Sequence, residues 1–140
     1  MRIKKKILLI ANYPIKEPRH GGQIRVRAMV EEYRKVFTEV RFVAVFVREH
    51  YPIYDVSDIY LTGQWANMVR HDHLTSDIQI GHAMNESRDT KRKLIKLLQD
   101  YQPDIIEIEQ SFPYIGLKPI LEELQMSPKV VFILKILRAQ

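Results

Sequence analysis

Four short runs set the terms on which this chain can fold: "KKILLIA" (5–11), "EVRFVAVFV" (39–47), "DIIEIEQ" (104–110) and "KVVFILKIL" (129–137). Each has the length of a strand, and the first, second and last are close to continuous in apolar residues. A sheet with one wet face would alternate apolar and polar side chains. Unbroken runs are expected where both faces are covered. Between the runs the period changes. Val26, Met29, Val30, Tyr33 and Phe37 recur at helical spacing, and so do Leu94, Leu97, Leu98 and Tyr101.

Strands alternating with helices predict an α/β fold, a Rossmann-like three-layer sandwich with a mostly parallel sheet and right-handed connections. At 140 residues the chain is read as a single domain, 1–140, long enough to bury a core. Helices are expected from Gln23 to Phe37, from 87 to 101 with Ser87 as N-cap and Asp89 suited to the dipole, and from Ser111 to about Gln125. Pro103 ends the second of these, and the third tolerates Pro113 in its first turn. Residues 48–86 are the least regular. They predict short strands near 57–62 and 77–80 and a turn or two of helix at 64–70. No internal repeat is present.

The absence of cysteine removes disulfides and thiolate metal sites and fits a reducing cytoplasm. No run approaches the ~18 apolar residues of a membrane span. The start, "MRIKKKILLIANYP", copies the basic head and apolar body of a signal peptide, but its apolar core (Ile7 to Ala11) is too short, so it reads as the first strand. The net charge of +5 is dispersed between Lys4–Lys6 and the cluster Lys91, Arg92, Lys93 and Lys96. That pattern is either a solvated polar face or a weak attraction to anionic lipid headgroups. Nucleic-acid binding is not expected.

In open parallel sheets ligands bind beyond the carboxyl ends of the strands. Here that end falls on the loops 11–22, 48–56 and 110–113 and on whatever follows 134. The first ends in Gly21-Gly22 at the head of a helix, where free amides and the positive end of the dipole favour an anion. Arg25 and Arg27 follow immediately. Cations there are unfavourable by roughly 0.3–1 kcal/mol each unless something negative is near. A bound phosphate would answer this, as would Glu107 or Glu109 from a neighbouring strand. A tight turn with both arginines in water is the bland alternative. Neither G-x-G-x-x-G nor a P-loop is present. Glu107 and Glu109 share a strand face and suit hydroxyl recognition, acid–base work or a salt bridge to Arg25. His20 is a candidate donor to a phosphate or sugar, or an exposed loop residue. "HDH" (71–73) has metal-ligand spacing without further placed ligands, so no metal site is expected. Tyr51, Tyr54, Tyr60 and Trp65 either stack on a sugar ring or lipid, or pin an irregular loop.

"KKILLIANYPIKEPRHGGQIRVRAMVEEY", "VRFVAVFV", "YQPDIIEIEQSFPYIGLKPIL" and "KVVFIL", in that order, resemble the N-terminal domain of a GT-B retaining nucleotide-sugar glycosyltransferase, family 4-like. The resemblance covers nearly the whole chain. It implies that Gly21 and Gly22 contact the donor diphosphate and that the aromatic-rich middle shapes the acceptor site; Arg25 is expected beside the glycines as donor-binding, and His20, Glu107, Glu109 and Gln110 as acceptor-binding. The implied ligands are a nucleotide sugar as co-substrate and a glycan or lipid hydroxyl as acceptor, without metal or other cofactor. The family continues into a C-terminal donor domain, and after the last strand it carries a histidine where this chain has Lys135. Both departures imply a truncated copy or split gene product that is inactive alone, with a separate donor-domain polypeptide as partner. The competing expectation is a non-catalytic module binding a phosphate, sugar or protein. The setting is cytoplasmic, or peripheral to the inner face of the membrane.

Overall fold

A computed structural model describes residues 1–68, 73–110 and 113–133, with the side chains of 73–75 excluded. In chain order the elements are β1 (Ile3–Ala11), α1 (Gly21–Val36), β2 (Phe37–Phe46), β3 (Ile59–Tyr60), α2 (Gly63–Met68), α3 (His73–Glu86), α4 (Arg88–Tyr101), β4 (Ile105–Ile108), α5 (Tyr114–Glu123) and β5 (Lys129–Phe132). The five strands form one sheet in the order β3-β2-β1-β4-β5, and every pair is parallel. The fold is the α/β, Rossmann-like sandwich that the alternation of apolar runs and helical stripes implies.

β1 is the centre. Ile7 to Ile10 pair with β2 on one side and β4 on the other, and residues 7–11 are buried on both faces. The strand period of two then divides the core. Leu8 and Ile10 point with Ile106 and Ile108 into a cluster closed by Met84, Leu94, Leu98 and Leu117 of α3, α4 and α5. Ile7 and Leu9 point the other way, into a smaller cluster with Val26 and Val30 of α1 and Ile15 of the loop after β1.

Residues 77–80 are not the short strand that the sequence suggested; they lie inside α3. That helix carries a weak apolar stripe because it is packed on several sides. Ile80, Ala83 and Met84 join the sheet core, while its backbone meets α5. At Gly116 of α5 an added Cβ would overlap the Gly81 carbonyl oxygen and lie 2.8 Å from Met84 Cβ. Ser87 takes the N-cap position of α4, but its hydroxyl makes no capping bond; its backbone instead joins α3 to α4 through Ala83 O and Lys91 N. Helix α5 begins at Tyr114 with Pro113 as its cap residue. The capping role assigned to Ser111, the end of the last strand beyond 133, and Lys135 fall outside the described residues.

β3 is two residues long, so Ala44, paired with Ala11 of β1, has no β3 residue on its other side. The buried Asp58 carboxylate fills the gap, accepting from Ala44 N at 2.9 Å and from Asp55 N at 3.0 Å. Burial raises its pKa, and the two amide bonds work against that rise. Four cations of α4 are paired: Arg92 and Lys93 with Asp89, Lys96 with Asp100, and Lys91 with Glu123 of α5.

Gly116→Ala tests the α3–α5 contact. The new methyl meets backbone rather than a flexible side-chain tip, so the substitution is expected to destabilise by about 3 kcal/mol. Urea unfolding followed by circular dichroism should show a lower midpoint with an unchanged slope.

Candidate functional site

The β1–β2 connection and the β4–β5 connection run to opposite sides of the sheet. The loops that leave β1 and β4 therefore part from one another and open a crevice beyond their carboxyl ends, the usual ligand position in such a sheet. A cleft of about 410 Å³ lies there. Asn12 and Tyr13 come from the end of β1, Gln110 from the end of β4, His20 from the head of α1, Tyr51 from the loop after β2, and Asp77 from α3.

The loop from β1 to α1 is held by one buried side chain. Gln23 donates through Nε2 to the Pro14 carbonyl at 2.7 Å, and its Oε1 accepts from the amides of Arg19 (2.9 Å) and His20 (3.2 Å). His20 Nδ1 in return accepts from Gln23 N at 3.2 Å, which completes a capping box. Arg27 adds a bond to the Lys16 carbonyl at 2.9 Å. The signal H-x-x-Q was present in the sequence, with histidine standing where Ser or Thr usually caps.

This arrangement resolves the two cations at the head of the helix. Arg25 reaches Glu109, the residue after β4, in an ion pair, and Arg27 turns to Lys16 O and Glu31. Glu109 therefore supplies the negative charge that the sequence demanded. The two glycines differ. Gly21 has open space where a side chain would stand, whereas a Cβ on Gly22 would lie 2.9 Å from the Tyr13 hydroxyl and 3.1 Å from the His20 ring. Among the described residues neither glycine amide has an acceptor. A side chain at Gly22 would have to displace the Tyr13 hydroxyl or the His20 ring, and Gly21 is the open position.

Of the residues singled out from sequence, His20 and Gln110 line the cleft, and Gly21, Gly22 and Arg25 stand at the head of α1 beside it. Glu107 and Glu109 share a face as expected, but that face is covered by α1. Both are 5% exposed; Glu107 accepts from the Tyr33 hydroxyl at 2.6 Å. Burial raises the pKa of Glu107, with the Tyr33 bond and Arg25 opposing. Tyr51 lines the cleft, whereas Tyr54 meets Tyr60 of β3 at a tilted angle and Trp65 packs on the core. Asn12 and Asp77 were not singled out. They are 65 residues apart and joined by a bond from Asn12 Nδ2 to Asp77 Oδ1 at 2.9 Å. Among the described residues no cluster of His, Asp or Glu could hold a metal, and most of "HDH" lies outside them.

Two polar atoms near the cleft are buried without a partner among the described residues: Asn12 Oδ1 and the Tyr13 hydroxyl. Burial, partly offset by Arg25, pushes the Tyr13 phenol up to about 12.

The fold and this crevice define a class: a Rossmann-like domain with a polar, aromatic-walled cleft at the switch point of its sheet. Comparison of the chain with protein-family models, with curated proteins and with solved structures finds no match to any of them.

Two predictions follow from the loop and its tyrosine. Glu serves as well as Gln in an ordinary capping box, but Gln23→Glu would set a carboxylate oxygen against the Pro14 carbonyl. A loss of about 1–3 kcal/mol in thermal or urea unfolding is expected. The second concerns alkaline pH. Tyr13 and Tyr101 are each held up to about 12, against about 10 in an unfolded chain. Between those values the unfolded chain releases protons that the folded one keeps. Stability is therefore full below pH 10 and falls as pH rises toward 12. Tyr13→Phe should cost little at pH 7, since the hydroxyl has no partner among the described residues, and should flatten the alkaline loss measured by melting across pH 8–12.

Proposed function

We propose that this domain is the acceptor-side half of a sugar transferase, one that holds a glycan or lipid-linked hydroxyl while a hexose arrives from a nucleotide sugar. The observation that carries the reading is the cleft at the β1–β4 switch point. Its walls combine aromatic faces (Tyr13, Tyr51) with planar hydrogen-bonding groups (Asn12, Asp77, Gln110), a combination suited to a polyhydroxylated ring. The order of motifs along the chain supports the same reading.

The donor diphosphate is the less well supported partner. Arg25 is already engaged by Glu109, so phosphate recognition rests on the Gly21 and Gly22 amides and the positive end of α1. Transfer would require electrostatic stabilisation of the departing diphosphate. Residues 1–140 hold one Rossmann-like unit, so a second polypeptide or domain would supply the nucleotide site. A non-catalytic sugar-binding module is the second reading, and the internal neutralisation of Arg25 is what favours it. A cytoplasmic setting suits either. Contact with anionic lipid through Lys4–Lys6 would occur at the amino end of β1, away from the cleft.

The test is an NMR titration of the isotopically labelled chain with methyl hexosides, UDP, GDP and their hexose conjugates. Hexosides are expected to shift the side-chain amides of Asn12 and Gln110 with dissociation constants of about 1 mM. Asp77→Ala should weaken that binding about tenfold. Nucleotide diphosphates should shift the Gly21 and Gly22 backbone amides. If no sugar moves the cleft signals, or if shifts fall only elsewhere, the reading fails.

A further inference from the structure

The cleft does not stand alone. A second cavity, of about 380 Å³, adjoins it and shares His20, His50 and Tyr51 as a common wall. The two compartments differ in chemistry. The cleft presents Asn12, Asp77 and Gln110, while the adjoining groove is floored by the Tyr51 ring, Pro52 and Ile53. The charged residues at its rim, Glu17 and Arg19, pair with each other at 2.9 Å, so the rim asks for no ionic ligand. Arg19 N and the Gln23 side chain are likewise committed to the capping network.

The shared wall is anchored. His50 N and Tyr51 N bond to the Val47 and Arg48 carbonyls, fixing the turn after β2. The Tyr51 ring packs edge-on against the fully buried Phe46. Its hydroxyl lies 3.3 Å from His20 Nε2, and its ring also faces Tyr13. A polar compartment and an apolar one are thus joined over a low ridge of two rings.

We propose that the site takes an amphiphilic acceptor: a glycoside whose sugar occupies the cleft and whose aryl or alkyl aglycone crosses the Tyr51–His20 ridge onto Pro52 and Ile53. This rests on the sugar reading given above and adds to it the class of the acceptor. A free sugar would leave the groove wet, and Ile53, at 36% exposure, would remain a large apolar side chain in water. An apolar arm would cover it and gain about fourfold in affinity for each methylene buried. A charged arm would gain nothing, because the rim charges are paired.

The experiment compares methyl, hexyl and phenyl glycosides of one hexose against the full chain by the same NMR titration, with hexanol as the arm alone. The hexyl and phenyl compounds are expected to bind at least about tenfold tighter than the methyl one, with added shifts at Tyr51 and Ile53. Ile53→Asp, on an exposed loop and outside the core, should abolish that gain while leaving the methyl glycoside's affinity unchanged. Equal affinity for all three arms, with the methyl compound still shifting Asn12 and Gln110, would overturn the amphiphile inference and leave the sugar reading standing. So would a gain that survives Ile53→Asp, hexanol binding as tightly as the hexyl glycoside, or a gain that depends on protein concentration and marks a second copy in the groove. Failure of every glycoside to shift the cleft would remove the sugar reading first and this inference with it.

Discussion

Everything in this molecule depends on β1 being buried on both faces and paired on both edges. Residues 7–10 hydrogen-bond to β2 and β4, while their side chains feed two separate cores. A polar residue in "ILLI" would be costly unless it found a buried hydrogen-bond partner. The same placement creates the crevice. Because β1 leads to α1 on one side of the sheet and β4 leads to α5 on the other, the described parts of these two connections leave a gap above the strands. The candidate site is a consequence of strand order before it is a consequence of any particular side chain.

What lines that crevice is then decided by a few polar anchors. Gln23, 4% exposed, orders the loop after β1 by bonding three backbone groups at once. Through His20 it sets the cap of α1 and the position of the ring that meets Tyr51. Asp58 does comparable work at the far edge, completing a sheet whose third strand is too short to do so. Both are buried polar groups with partners on backbone, the arrangement in which burial is tolerated.

The charge pattern shows how a correct local argument can point to more than one structure. Two arginines at a helix head do require a negative neighbour, and the sequence named a phosphate or a strand glutamate as candidates. Glu109 stands there, and Arg25 reaches it across 84 residues. Local physics stated the demand; only the pairing of β4 beside β1 brought up the group that meets it. The glycines behave alike in sequence and differently in space, since Gly22 is pressed by Tyr13 and His20 and Gly21 is not.

The sequence by itself determined the class of fold, the strands with apolar runs, and the helices α1 and α4, because each of these is written as a period along the chain. It did not reveal α3, whose residues are shared among the sheet, α4 and α5 and so carry no single stripe. Nor did it reveal the meeting of Asn12 with Asp77, or decide for Glu107 and Glu109 between a place in the cleft and the contacts with α1 that they make. Those facts depend on which face of a strand a helix covers and on which distant loops converge. Periodicity is a property of neighbours in the chain, whereas a site is made by neighbours in space.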